Sequence, residues 1–417
     1  MRRPAYRLLV LGLALMLCCA CGRGAGPGPQ AEQTPPEPGV VSPFPRAGAD
    51  PGHPLVFVPE GELGAQETIR AYFDQHYRAY GSLQYIDVGS IADMGRTAMA
   101  NSAVWLQSLT MRRRLLKEQG LCYVETRLYP YTLTFVRESA LSDPRVDFWA
   151  EEGIPVEEAG AQLFHFVITG EEGRAYPPFF ALNAQHTMCL QKTDGVWKIT
   201  AHYFPGSARR FPRDVLLPPP DEALLLARLR LEFGEGPDGG EDAPAPGARP
   251  YDGALAASYA RMHAEHPNPA FYAIGDWLGN CANFTSQCIW WGFGGGEPPD
   301  EGAAEPMTPR WYGGRGGGTL PWENVACFWD YAAGGGEMEA RVLSGAAALA
   351  PGDLVQVRAA PSDPDGDAEE ERFHHSLLVV DADTLLLAQN SPNCFVYYSD
   401  LVNTEVRMLR PVSLPPA

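Results

Sequence analysis

The run from Gly234 to Pro250, GEGPDGGEDAPAPGARP, limits what this chain can fold into more than any other feature. A segment so rich in Gly, Pro and charge buries too little apolar surface to pack, so it predicts a linker. A chain of 417 residues is also too long for one ordinary domain. We therefore predict a domain over residues 61–205, a linker with a short helix over 206–250, and a second domain over 251–417.

Composition supports two packed domains and excludes one class of partner. Hydrophobic residues make up 45% and aromatic residues 11% of the chain, which is enough apolar surface for cores. The formal net charge is −19, and from Tyr251 onward 22 acidic residues face 8 basic ones. Such a surface repels phosphate backbones, so we expect no nucleic-acid partner.

The first 21 residues have the pattern of an export signal. Three arginines precede the apolar run Leu8–Leu17, and small residues flank Cys21. The segment resembles a bacterial lipoprotein signal peptide, which implies a lipid on Cys21. Cys18 stands where Leu is usual, so Cys19 remains a second choice, and a simple secretory signal or a short anchor helix is the alternative. With a Gly- and Pro-rich tether over residues 22–60, these features predict an extracytoplasmic protein anchored to the bacterial cell membrane by lipid.

The first domain reads as α+β, the fold class we expect for both domains. Gln66–Tyr80 has helical periodicity, and the turn signal Asp194-Gly195 precedes a final strand. This closing hairpin resembles that of nuclear-transport-factor-two-like domains, which implies a cone-shaped fold of helices on an antiparallel sheet. The predicted strands are Cys122–Val136, Gln162–Thr169, Asn183–Gln191 and Trp197–Phe204.

Three histidines, His165, His186 and His202, lie in these strands. A histidine there can serve as a pocket acid or base, but isolated strand histidines are more often structural, and we favour that interpretation. Cys122 and Cys189 are candidates for a disulfide in an oxidising compartment.

The segment Gly279-Asn-Cys-Ala-Asn-Phe-Thr-Ser-Gln-Cys288 places a cysteine at a predicted helix start. Gly279 marks a turn and Asn280 is a candidate N-cap, so Cys281 occupies the first helical turn. Unpaired backbone N–H groups there stabilise a thiolate and can hold an oxyanion. Cys281 is therefore a candidate nucleophile.

A thiol nucleophile needs a base and a group that orients the base. Gly352–Arg358, Phe373–Val380 and Thr384–Ala388 read as consecutive strands, and Gln389 and Asn390 follow. In an antiparallel sheet we expect His375 and Asn390 on one face, beside a packed helix that carries Cys281. His374 points to the opposite side of its strand and receives no role.

These residues carry a resemblance to a known family. The segment around Cys281 resembles the signature of the bacterial putative amidase domain family, an NlpC-like branch of the papain-like cysteine hydrolases, over about residues 251–405. The resemblance implies a helix packed on an antiparallel sheet, with Cys281 as nucleophile and His375 as base. Two positions depart from it: Asn280 stands where Asp is usual, and Asn390 where His is usual. Further matches follow in order at Trp311-Tyr312, Trp322, Gly352-Asp-Leu-Val and His375-Ser.

Other segments are given no chemical role. Cys288, Cys327 and Cys394 read as small apolar fillers. The run Asp363–Asp367 lacks the spacing of a calcium loop, and Gly313–Gly318 lacks the Lys of a phosphate loop and reads as coil beside the cleft. We expect no cofactor and no metal.

The sequence thus predicts a cysteine amidase or peptidase that works through a thioacyl intermediate, with Cys281, His375 and Asn390 as its site. Location and resemblance together suggest a peptide or peptidoglycan substrate, with Trp311 and Tyr312 as cleft walls. Two alternatives remain: a catalytically inactive lipoprotein that binds a ligand or partner, and an acyltransferase that uses the same cysteine.

Overall fold

A computed structural model of the chain describes residues 55–136, 161–204, 207, 215–234, 244, 246–274, 279–299, 302–359 and 372–416. The predicted signal peptide, lipidation at Cys21, most of the tether and the run Asp363–Asp367 lie outside these residues. All described residues belong to one compact unit, residues 51–417. The division into two domains stays a prediction.

The N-terminal part combines two long helices with a four-stranded antiparallel sheet in sequential order. The helices are α1 (Ala65–Ser82) and α2 (Thr97–Glu118), preceded and separated by the short parallel pair β1 (Leu55–Val56) and β2 (Ile86–Asp87). The sheet is built from β3 (Tyr131–Val136), β4 (Gln162–Gly170), β5 (Gln185–Thr193) and β6 (Val196–Tyr203).

Helix α1 forms because one face is apolar and aromatic. Ile69, Tyr72, Phe73 and Tyr77 are buried in one cluster with residues of the sheet, as the helical periodicity predicts. The strand predicted over Cys122–Val136 is shorter than expected, since only Tyr131–Val136 pairs with a neighbour. The resemblance to nuclear-transport-factor-two-like domains stays an expectation.

In the described residues, the predicted linker and the C-terminal part together contain five helices and a larger antiparallel sheet. The helices are α3 (Glu222–Phe233), α4 (Gly253–His263), α5 (Cys281–Gly292), α6 (Leu320–Glu323) and α7 (Val325–Ala333). Three strands have only two residues each: β7 (Arg249–Pro250), which pairs with the last strand of the main sheet, and β8 (Gly313–Gly314) and β9 (Gly317–Gly318), which form a hairpin. The main strands are β10 (Glu339–Val342), β11 (Leu354–Ala359), β12 (His375–Asp381), β13 (Leu386–Gln389), β14 (Cys394–Tyr397) and β15 (Thr404–Leu414).

The order of the main sheet brings the predicted site strands together. It runs β10-β15-β11-β12-β13-β14, so β12 lies between β11 and β13. Helix α5 packs on α4 and on β12, and the fully buried Phe284 and Cys288 share a core cluster with Leu378 of β12. Helices and antiparallel sheets in both parts confirm the α+β class, and a helix starting at Cys281 lies on the sheet as expected.

The predicted linker helix joins the two parts of the structure. Leu229 and Phe233 of α3 are buried in a cluster that also contains Leu115 of α2 and Leu343 and Tyr398 of the C-terminal part. A buried ion pair between Arg113 of α2 and Asp400 crosses the same contact, and Tyr80 Oη donates to Asp400 over 2.9 Å. The described parts of the chain therefore share a core.

The cysteines and histidines of the first domain take structural positions. Cys122 has a free thiol, so the candidate disulfide between Cys122 and Cys189 is not formed in the structure. His165 Nδ1 lies 2.9 Å from Thr187 Oγ1, and His186 Nδ1 lies 3.0 Å from His202 Nε2 in a buried pair. In the described residues no helix has the length and apolar character needed to cross a membrane.

Candidate active site

Cys281 is the first residue of helix α5 and is only 2% exposed. Gly279 precedes it with a φ of 108°, a conformation that residues with a Cβ rarely adopt, and this turn brings the chain into the helix. The cysteine packs against Ala282, Val325 and Phe373. Its sulfur therefore lies at the positive end of the helix dipole and away from bulk water.

His375, the first residue of β12, lies close enough to Cys281 for each residue to shift the pKa of the other. Burial alone would raise the pKa of Cys281, but the charge of His375, its hydrogen bond and the backbone N–H groups of Ser376 and Ala282 outweigh burial, and the pKa is lowered. Burial alone would lower the pKa of His375, but the Cys281 thiolate and the hydrogen bonds to Cys281 and Gln389 raise it. Both shifts favour a thiolate–imidazolium pair.

The residue that contacts the other side of the imidazole is Gln389, and the assignment of Asn390 to this position is wrong. Gln389 Oε1 lies 2.7 Å from His375 Nε2. An amide oxygen only accepts hydrogen bonds, so Nε2 carries a proton and donates it, and Nδ1 is the nitrogen left for Cys281. Gln389 thus fixes both the ring orientation and the tautomer.

Strand register explains why Asn390 does not contact the His375 imidazole. Leu378 of β12 lies opposite Ala388 of β13, and continuing this register by one residue sets Gln389 opposite Leu377. Because side chains alternate along a strand, Gln389 shares the face of Leu377 and His375, and Asn390 points to the other side. A shift of one residue separates the predicted partner from the observed one.

Asn390 instead supports the turn that precedes Cys281. It is 1% exposed, its Nδ2 donates to the Ala264 carbonyl over 2.8 Å, and its Oδ1 accepts from Asn280 Nδ2 over 2.9 Å. Asn390 therefore contacts Asn280, the residue directly before Cys281. Asn280 occupies the N-cap position without capping the helix, since its Oδ1 accepts from Ile274 N and Asn283 Nδ2.

The remaining polar residues of the Cys281 segment anchor α5 in its core. Asn283 Oδ1 accepts from Trp322 Nε1 over 2.7 Å, and Ser286 Oγ accepts from Trp311 Nε1 over 3.3 Å. Gln287 Oε1 accepts from the Tyr259 hydroxyl over 2.9 Å. Each is a buried polar group with a partner, which is the condition for placing amides and hydroxyls in a core.

The contact of Trp311 with α5 contradicts the expectation that Trp311 forms a wall of the cleft. Trp311 is fully buried and packs against Trp322, so it lines no surface, whereas Tyr312 is half-buried. The glycine run expected as coil forms the hairpin of β8 and β9. His374 is exposed and lies one residue before β12, and its backbone oxygen is 3.9 Å from the Cys281 sulfur.

The described residues contain no group of three or more His, Cys, Asp or Glu side chains that could hold a metal ion. The geometry of the site is that of a thiol, an imidazole and an amide in series. Such a set can attack a carbonyl and move one proton without changing its own oxidation state.

Comparison with known proteins finds a family that matches the segment containing these three residues. Residues 250–405 match the family described as a putative amidase domain. This segment is an amidase-family domain. Membership supports an enzyme that hydrolyses amide bonds, and the matched residues contain Cys281, His375 and Gln389. No curated protein and no solved structure matches the chain significantly.

The sequence pattern does not identify Gln389 as the partner of the imidazole, although Gln389 directly precedes Asn390. The available signal was local: an amide side chain directly follows a predicted strand that neighbours the strand of His375. Register would have been needed to choose between two adjacent amides, and the sequence pattern does not fix it.

Proposed function

We propose that the amidase domain cleaves amide or peptide bonds by cysteine nucleophilic catalysis. The observation that carries this proposal is the position of Cys281 at the start of α5 beside His375 of β12, where the thiol pKa is lowered despite burial. The Cys281 thiolate attacks the carbonyl carbon, and His375 holds the thiol proton at Nδ1. His375 then passes that proton to the leaving amine, which leaves a thioacyl enzyme.

Hydrolysis of the thioacyl intermediate completes the cycle. His375 Nδ1 takes a proton from water, the hydroxide attacks the thioester carbonyl, and the Cys281 thiol is released with a carboxylic acid. Gln389 keeps Nε2 protonated in both steps, because its oxygen accepts from that nitrogen throughout. Backbone N–H groups at the start of α5 can donate hydrogen bonds to the developing oxyanion.

Alkylation kinetics test the pair directly. We expect iodoacetamide to modify Cys281 faster than an ordinary free thiol at neutral pH, with a midpoint below the ordinary thiol pKa. His375→Ala should remove this acceleration, and His374→Ala, which changes the exposed neighbour, should not. Equal rates for the native protein and His375→Ala would refute the catalytic proposal and favour an inactive binding protein.

We further propose that the enzyme acts outside the cytoplasm on cell-wall peptides, anchored through Cys21. The basic and apolar pattern of residues 1–21 supports the location, and the location supports the substrate. Metabolic labelling with a fatty acid should mark the native protein and fail with Cys21→Ser; continued labelling that disappears with Cys19→Ser would move the anchor to Cys19.

Substrate and acceptor are tested together. Purified peptidoglycan should release free amine groups with the native protein and none with Cys281→Ala. Formation of a new amide in the presence of an added amine, in place of hydrolysis, would identify an acyltransferase.

A further inference from the structure

The amide of Gln389 has two nearly isosteric orientations, which exchange its oxygen and its nitrogen. In the observed orientation Oε1 lies 2.7 Å from His375 Nε2, and the amide Nε2 donates to Cys394 Sγ over 3.1 Å. This orientation requires the imidazole proton on Nε2, which leaves the lone pair of Nδ1 free to accept the thiol proton of Cys281.

The reversed orientation would disable the base. An amide N–H directed at His375 Nε2 needs a lone pair there, so the single proton of the neutral imidazole would move to Nδ1. A protonated Nδ1 facing Cys281 cannot accept the thiol proton. The direction of one amide group therefore decides whether His375 can act.

Cys394 is placed to decide that direction. It is the first residue of β14 and lies directly opposite Gln389 in the strand ladder, so the backbone register holds its sulfur beside the amide. Burial raises the pKa of Cys394 to about 11, which keeps it a neutral thiol at ordinary pH. Its sulfur has lone pairs that can accept the amide N–H.

We propose that Cys394 is a positioning residue: by accepting the amide N–H of Gln389, its sulfur holds the amide oxygen toward His375 and selects the tautomer that can deprotonate Cys281. The inference rests on the proposed function of Cys281 and His375. It assigns a role to a cysteine that sequence alone presents as a filler.

The test measures iodoacetamide alkylation of the full chain against pH, with modification quantified by mass spectrometry on the peptide that contains Cys281. Cys394→Ala removes the acceptor and should slow alkylation at neutral pH about fivefold, the effect of one hydrogen bond. Cys394→Ser retains an acceptor of similar size and should restore the rate to within about twofold. Cys327→Ala, a cysteine change in α7, should leave the rate unchanged.

A double-mutant cycle separates positioning from general packing. In a Gln389→Leu background the further change Cys394→Ala should have no effect on the alkylation rate, because Cys394 acts only through the Gln389 amide. An equal slowing in both backgrounds, or no slowing by Cys394→Ala in the native background, overturns the inference.

The failure of the inference is distinguishable from the failure of the proposed function. If His375→Ala is slow and Cys394→Ala is as fast as the native protein, only the positioning role fails. If His375→Ala reacts as fast as the native protein, the catalytic proposal fails and the positioning role fails with it.

Discussion

Acidification is expected to destabilise the N-terminal part of the structure through a cluster of buried histidines. His76, His186 and His202 are all buried, and His186 Nδ1 lies 3.0 Å from His202 Nε2. Burial lowers the pKa of His76 and of His186 to about 4, and burial together with the neighbouring histidines lowers the pKa of His202 well below its ordinary value. The rings that surround the cluster are Tyr72, Phe73, Phe166, Phe179 and Phe204.

The direction in which stability changes with pH follows from proton binding. The folded pKa lies below the unfolded value of about 6.5, so the unfolded chain binds more protons and stability falls as pH drops from about 6.5 toward about 4. One histidine with a folded pKa of about 4 costs about 2 kcal/mol between about pH 8 and about pH 5. His76 and His186 together therefore remove about 4 kcal/mol of unfolding free energy, and His202 acts in the same direction.

Urea unfolding at the two pH values measures this loss, and His76→Phe isolates one part of it. The buried Nε2 of His76 has no hydrogen-bond partner among the described residues. The replacement breaks the contact of Nδ1 with the Tyr72 carbonyl, and because this loss applies at both pH values it does not enter the difference between them. The variant should lose about 2 kcal/mol less than the native protein on acidification. His266→Ala, a change at an exposed histidine, serves as the control. An identical loss in His76→Phe and the native protein would refute the reasoning.

Three further predictions concern the site and the shared core. Gln389→Leu should slow iodoacetamide alkylation of Cys281 about tenfold at neutral pH, whereas Asn390→Ala should lower the unfolding free energy by about 1 to 3 kcal/mol without moving the pH midpoint of alkylation. Arg113→Met leaves Asp400 as an unpaired buried charge, so urea unfolding should show a loss of about 3 to 5 kcal/mol, largely recovered by adding Asp400→Leu. Trp322→Phe removes the donor to Asn283 and should cost about 1 to 3 kcal/mol in the same assay.

The spacing of apolar residues in the sequence is sufficient to predict those helices whose buried residues recur at a regular interval. Helix α1 and helix α5 both begin within a residue of the expected start, because apolar residues recur at helical spacing. Periodicity does not predict helix α2, and its buried face shows why: it contains Asn101, Arg112 and Arg113, whose partners lie in distant segments. Polar residues that are satisfied only in the tertiary structure remove the hydrophobic signal that periodicity detects.

In the candidate site, too, the sequence pattern identifies some residues and not their tertiary partners. Cys281 and His375 could be selected because a helix start and a strand start have sequence signals. The partner of the imidazole could not, since Gln389 and Asn390 are adjacent amides and only strand register separates their directions. The hydrogen bonds of Trp311 and Trp322 to α5 could not be predicted either, because the sequence does not show whether an aromatic residue near a motif is exposed or buried.

One strand end connects the nucleophile with its base. Gln389 ends β13 and orients His375, while Asn390 follows it and holds Asn280, the residue directly before Cys281. Since the two amides are consecutive, any displacement of this strand end moves both members of the pair in the same direction. The relative position of thiol and imidazole is therefore determined by two neighbouring residues on one backbone segment. Replacing Asn280 and Asn390 with apolar residues should then lower the free energy of unfolding in urea and leave the His375 to Gln389 contact, and with it the pH midpoint of Cys281 alkylation, unchanged.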